Sequence, residues 1–215
     1  MAKNKYLKRN RMSQTLIENV HKPDSSANPA PLGLLGFGMT TILLNLHNAG
    51  FFPLNAMIMA MGLFVGGLAQ LIAGILESKK GNTFGMTAFV AYGCFWLSLV
   101  AIWLLPKLAG AAVADETAMA WYLLLWGIFT CGLFVGTFRI SRALQVVFGS
   151  LTLLFLLLAA RDFLVASGIE AGKTIGLAAG WVGLACGLSA VYAGLAQVLN
   201  EVYGKTVYPL GTTLK

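Results

Sequence analysis

Charge is what this sequence has least of: Asp, Glu, Lys and Arg make up 11% of its 215 residues, where a soluble domain carries about 25%. A surface so poor in ionic groups would not stay wet, which excludes an ordinary soluble domain. The residues of metal and redox chemistry are scarce as well. There are two histidines, His21 and His47, and three cysteines, Cys94, Cys131 and Cys186. Each cysteine falls in a different apolar run and none forms a C-x-x-C pair, so they read as buried structural thiols. No metal site, no cofactor and no disulfide framework is expected. No nucleophile–base set or phosphate loop occurs, so no catalytic residue is assigned and no enzyme is expected. Proline is rare, six residues in all, and each lies at or outside the end of an apolar stretch, where a missing N–H does least harm. The first apolar run has no small-residue cleavage site behind it, so it does not read as a signal peptide.

What the sequence has instead is apolar length. It is 58% hydrophobic, with a mean hydropathy of +0.76, and a spanning helix needs roughly 20 apolar residues. Six runs meet that need: residues 29–48, 53–76, 83–105, 119–138, 143–160 and 174–200. The expected fold is an all-α membrane protein of six transmembrane helices. Residues 1–28 form a basic N-terminal arm, 29–204 the six-helix domain and 205–215 a tail. The net charge of +7 sits largely in that arm, in Lys3, Lys5, Lys8, Arg9, Arg11 and Lys22. Basic residues beside a span set topology or touch anionic lipid, so no nucleic-acid partner is expected. With the N-terminus inside, twelve basic residues fall on the cytoplasmic side. Only Lys107, Arg161 and Lys173 fall on the other. That bias predicts both termini in the cytoplasm and a multi-pass protein of the cytoplasmic (inner) membrane.

Glycine supplies the clearest spacing. Gly172, Gly176 and Gly180 form an i, i+4, i+8 row, and Gly183 with Gly187, Gly62 with Gly66, and Gly132 with Gly136 repeat the G-x-x-x-G step. Such rows let helix backbones approach closely in lipid. They fit an oligomer seam and packing within one protomer equally well. The spans as bounded above hold no ionised side chain, and Glu77 lies immediately past the end of the second. Ion-coupled pumps carry such groups within their spans, so the expectation is a passive pore or a carrier whose proton rides on its substrate. Glu77 and Glu201 are expected at the cytoplasmic rim as solvated or salt-bridged end groups. On the first span Phe37, Thr41, Asn45 and Asn48 share one face by helical periodicity. Gln70, Tyr92, Ser98, Thr130, Thr152, Ser189, Tyr192 and Gln197 are spread over the others. Gathered about one axis, these uncharged groups would line a weakly polar channel for a small solute.

The stretch Asn28–Leu34 reads NPAPLGL, and GFGMTTILLNLHNAGFF follows from Gly36. Together with AGILESKKGNTFGMTAFVAYGCFWLS from Ala73 and AGWVGLACGLSAVYAGLAQVLNE from Ala179, this resembles the acetate uptake transporter family. The likeness covers nearly everything after residue 27. It implies a six-helix protomer in a hexameric homo-oligomeric ring, with a fold similar to that of the urea and amide channels and one substrate path per protomer. It also implies transport of acetate, and of succinate or other small mono- and dicarboxylates, by proton symport or channel-like passage. A urea, amide or ammonia channel of the same architecture is the alternative. By motif context the family's constriction corresponds to Phe37, Tyr92 and Leu151. A collar of two aromatics and a leucine resists bare ions, because dehydrating a charge there is costly. Neutral acid, or an anion briefly held by the Tyr92 phenol, would pass more easily. Asn28 reads as a cap of the first helix, either alone or with freed N–H groups aimed at a carboxylate. Thr41 and Asn45 complete the set of expected path residues.

Overall fold

The computed structural model describes residues 26–212. The basic arm expected over residues 1–28 lies almost wholly outside the described residues, as do residues 213–215. Six helices are long and apolar enough to cross a membrane: α1 Ala30–Asn48, α2 Ala56–Lys79, α3 Thr83–Ala109, α4 Glu116–Thr137, α5 Arg142–Ala166 and α6 Ala171–Tyr203. The chain is all-helical among the described residues apart from one isolated bridge, Ser141 with Thr212. It is a multi-pass membrane protein.

The helix starts follow local chemistry. Asn82 Oδ1 accepts from Gly85 N at 3.0 Å, Asp115 Oδ1 from Ala118 N at 2.7 Å and Ser141 Oγ from Leu144 N at 3.2 Å. Each satisfies an N–H that the first turn leaves without a partner. Gly110 and Gly204 close α3 and α6 in the left-handed conformation, at φ 64° and 61°, where glycine alone has no Cβ penalty.

Two expected ends move by more than three residues, and one span is irregular inside. α3 runs through Pro106 to Ala109, because a proline in the last turn costs one hydrogen bond that neighbouring apolar packing can offset. α5 runs past Ala160 to Ala166 and so carries Arg161 and Asp162 inside a span. The two form an ion pair, which lets the charges stay helical rather than mark a loop. α2 is α-helical at both ends and π-helical over Gly62–Ala69. No periodicity argument anticipates that widened stretch, which ends immediately before Gln70.

The glycine rows mostly close contacts within the protomer. A Cβ on Gly38 of α1 would stand 2.8 Å from Gly187 O of α6, and one on Gly187 would stand 2.9 Å from Gly38 O. Gly183 is covered by the Asn45 side chain and Gly180 by the backbone at Asn48 and Ala49. Gly62 and Gly66 take the Val100 and Trp96 side chains of α3. Gly132 on α4 differs: nothing lies within 4 Å of where its Cβ would be. The cysteines divide too. Cys186 is buried as expected, but Cys94 and Cys131 are exposed. A thiol on the outer face of a span meets lipid, which suits it as well as a core does.

Candidate functional site

α3, α4 and α5 bring most of the aromatic side chains into one buried cluster around Tyr92 and Phe95. At its edge, α1 contributes Phe37, α3 Tyr92 and α5 Leu151, each 5% exposed or less. The Phe37 and Tyr92 ring centroids are 5.9 Å apart, and Tyr92 and Phe148 are 6.1 Å apart. All three expected collar residues line one narrow cavity with Leu34, Gln70 and Phe148. Its volume is about 20 Å³, room for about one water and too little for a four-heavy-atom acid.

Two wider chambers lie at opposite ends of the bundle. One, about 600 Å³, sits where α1, α3 and α5 begin and α2 and α6 end, and Asn28, Glu77, Lys80, Asn82 and Gln197 line it. The other, about 680 Å³, sits where α2 and α4 begin and α3 and α5 end, with Lys107, Glu116, Arg161 and Asp162 in its wall. The narrow cavity shares Leu34, Ala88, Phe89 and Phe148 with the first chamber. The Cβ-less backbone of Gly33 and Gly85 leaves room for Phe89 and for the Glu77 carboxyl respectively.

The hydrogen bonds revise the polar expectations. The Tyr92 hydroxyl donates to Thr130 Oγ1 at 2.9 Å, and Thr130 in turn donates to Trp126 O at 2.7 Å. The phenol is thus committed to a neighbour rather than free for an anion. Ser98 shares a hydrogen with Tyr122, Thr152 donates to Phe148 O, Ser189 to Cys186 O and Tyr192 to Pro209 O. These hydrogen bonds lie within or between elements of the bundle, and none of the four groups lines the narrow cavity or either chamber. Asn28 accepts from Ala30 N at 3.1 Å and donates to Gln197 Oε1 at 3.0 Å, so it caps α1 and ties it to α6 at the chamber wall. Thr41 and Asn45 are buried but line none of the cavities described above. Asn45 donates to Thr41 O at 2.8 Å and lies against Gly183.

Two groups matter more here than their residue types suggested. Gln70 is 1% exposed, lines the narrow cavity, and its Oε1 has no hydrogen-bond partner. Its position just after a π-helical stretch is what singles it out, and that stretch has no sequence signature. Glu77 is the second. The expectation of a solvated or salt-bridged end group is wrong: Glu77 is 2% exposed and forms no ion pair among the described residues. Asn82 Nδ2 donates to its Oε2 at 2.7 Å, and its Oε1 has no partner. The reversal of the chain between α2 and α3 folds Asn82 back over the carboxylate, which leaves it almost wholly covered except toward the chamber. Glu201 is exposed, as expected.

The end of the chain closes the same chamber from below. Arg142 N donates to Gly211 O at 2.8 Å and Ala143 N to Leu210 O at 3.0 Å, while Asn200 Oδ1 accepts from Val207 N and Tyr208 N. Residues 205–212 are thus a strap across the start of α5, with Leu210 and Thr212 in the chamber wall.

Comparison with known proteins agrees with this architecture. The chain is 56% identical over 185 residues to the succinate-acetate/proton symporter SatP of Escherichia coli (strain K12), covering 86% of this chain and 95% of that protein. It is 40% identical over 144 residues to acetate permease A of Emericella nidulans, covering 61% of this chain and 48% of that protein. Among solved structures, that of the bacterial acetate channel SatP superposes with a TM-score of 0.82 at 56% identity, covering 87% of this chain and all of that one. The profile of one family matches residues 13–209. The protein belongs to the GPR1/FUN34/yaaH family.

Proposed function

We propose that the protein moves acetate, and succinate or other small carboxylates, across the cell membrane, by a path through each protomer from one chamber to the other. The observation that carries this reading is the narrow apolar collar of Phe37, Tyr92 and Leu151 between two chambers, in a chain 56% identical to a succinate-acetate/proton symporter. An ion stripped of water in such a collar pays a large desolvation cost, whereas a neutral carboxylic acid does not. Acetic acid ionises in the same range as a glutamate side chain, about pH 4.3, so a small neutral fraction exists at any physiological pH. Gln70 suits that species: a buried amide offers an acceptor for the acid's O–H and donors for its carbonyl.

The positive-inside bias supports a cytoplasmic placing of both termini, and so of the chamber holding Glu77. The exposed row at Gly132 supports assembly into a ring, six-fold by the family resemblance. The two relatives compared above are named for acetate, which sets the carboxylate reading ahead of a urea, amide or ammonia pore. The test is uptake of radiolabelled acetate into proteoliposomes with and without a pH gradient, against protein-free vesicles. Accumulation above the protein-free level, driven by an acid exterior, is expected. Uptake of labelled urea but not acetate would overturn the reading.

A further inference from the structure

The reading of transport leaves one group unused, the carboxyl of Glu77. We infer that Glu77 is a proton-exchange site of the path, passing a proton between its own carboxyl and a substrate carboxylate in the chamber at the α2–α3 turn. The inference rests on the proposed transport of carboxylic acids.

Three features of the site carry it. The first is isolation: Glu77 is 2% exposed, yet it lines the chamber of about 600 Å³. The second is asymmetry between its oxygens. Oε2 is held by Asn82 Nδ2 at 2.7 Å, and Oε1 has no partner among the described residues. A glutamate built only to brace the α2–α3 turn would use both oxygens, because an unmade hydrogen bond on a buried charged group is expensive. The third is that no cation pairs with Glu77 among the described residues. Asp162, the other buried acid among the described residues, is clamped by Arg161 at 2.6 Å. Glu77 has no such clamp. Lys80 is the other ionisable group in this chamber's wall, and its Nζ donates to Ser26 O at 3.0 Å. From α1, α3, α5, α6 and the strap, no ionisable side chain lines the chamber among the described residues.

The step is a proton exchange between two carboxyl groups, one held by the protein and one on the substrate. The O–H bond on Glu77 breaks and one forms on the substrate carboxylate. The neutral acid then leaves through the collar, and Glu77 takes a new proton from water on its own side. In the reverse direction the arriving acid gives its proton to the Glu77 carboxylate and departs as an anion. Each cycle moves one proton with one carboxylate, and the rate no longer depends on the scarce neutral acid in bulk.

The pH profile of labelled-acetate exchange tests this, measured at equal pH on both sides of proteoliposomes, with protein-free leak subtracted. A path fed only by bulk neutral acid slows about tenfold per pH unit above the acid's own range. Wild-type exchange is expected to fall less than tenfold in total between pH 5.5 and 7.5. Glu77→Gln is expected to fall about tenfold per unit, and Glu77→Asp to restore the shallow profile. Parallel profiles for wild type and Glu77→Gln overturn the inference, whatever their absolute rates. Should Glu77→Gln not fold, infrared difference spectra of the wild type on adding ¹³C-acetate decide the matter. A protein carboxyl must change its protonation, and an unchanged carboxyl region overturns the inference. If the wild type adds no flux over protein-free vesicles, it is the transport reading itself that fails.

Discussion

The hydroxyl of Tyr92 on α3 is bonded to Thr130 Oγ1 on α4 at 2.9 Å, and Thr130 is fully buried. This bond fixes the phenol ring at the narrow cavity, in contact with Phe37, Trp126, Phe129 and Phe148. Thr130→Val keeps the shape and removes the partner. Leaving the phenol buried and unbonded is expected to cost about 1–3 kcal/mol. Tyr92→Phe in the same background removes the orphaned group, so the double variant should melt above Thr130→Val alone. A double variant whose loss equals the sum of the single losses would show that the bond is not made.

Leu151 is 3% exposed and lines the narrow cavity. Leu151→Ala should enlarge that cavity by several methylenes and cost about 2–5 kcal/mol of stability. The gain is width: a bulkier acid such as butyrate should compete with acetate better in the variant than in the parent. Unchanged competition would remove Leu151 from the collar.

Gly187 and Gly132 separate packing from assembly. Gly187→Leu drives a side chain into Ile42 and the α1 backbone, 2.7–3.0 Å from where its Cβ would stand, and overpacking of this kind costs about 1–3 kcal/mol or more. Gly132→Leu meets nothing in the protomer, so the protomer's own melting should be unchanged. If α4 faces a neighbour in a ring, native mass spectrometry should show Gly132→Leu shifted toward smaller species. A ring undisturbed by Gly132→Leu would put the seam elsewhere.

The strap is testable in isolation. Asn200 accepts from Val207 N at 2.7 Å and Tyr208 N at 2.9 Å and donates to Tyr208 O at 2.8 Å. Asn200→Ala removes all three bonds. The amides of Arg142 and Ala143, which donate to Gly211 and Leu210, should then exchange with deuterium about tenfold faster. That corresponds to roughly 1.4 kcal/mol lost.

The six spans were legible because lipid permits no other solution for long apolar runs. That Phe37 and Tyr92 would share one narrow cavity was suggested by resemblance, not by physics, since an aromatic in an apolar helix is ordinary. What escaped was whatever depends on tertiary proximity. Glu77 looks like a rim residue in one dimension and is buried in three, because Asn82 returns over it across a turn. Asp162 looked like loop because the ion pair that lets it stay in α5 involves its own neighbour, Arg161, and the cover supplied by α6. Gln70 was one polar residue among eight, and its place after the π-helical stretch and its missing partner, which set it apart, appear only in three dimensions. The glycine rows gave spacing but no direction, so whether a row faced α1 or the outside could not be read from the interval.

Arg161 and Asp162 give the last prediction. The Nε and one terminal nitrogen of Arg161 lie 2.7 and 2.6 Å from the same Asp162 oxygen, and the side chains are 31% and 6% exposed. The arginine stem is covered by α6, where a Cβ on Gly176 would stand 2.9 Å from Arg161 Cδ. Removing the cation strands a carboxylate that is already short of partners, since Asp162 Oδ2 has none. Arg161→Ala is therefore expected to cost about 3–5 kcal/mol, seen as a lower melting temperature in detergent. Arg161→Lys should recover part of this, because an ammonium replaces the charge but not the two-point geometry. Arg161→Ala with Asp162→Asn should recover more, because the stranded charge is gone. In transport, Arg161 stands in the wall of the second chamber, where its exposed part can attract carboxylates from solution. The double variant should thus raise KM for acetate at low ionic strength, with the difference from wild type shrinking as salt is added. An Arg161→Ala protein as stable as the wild type would mean that Asp162 is satisfied without its cation, and a KM difference that persists at high salt would rule out attraction by charge.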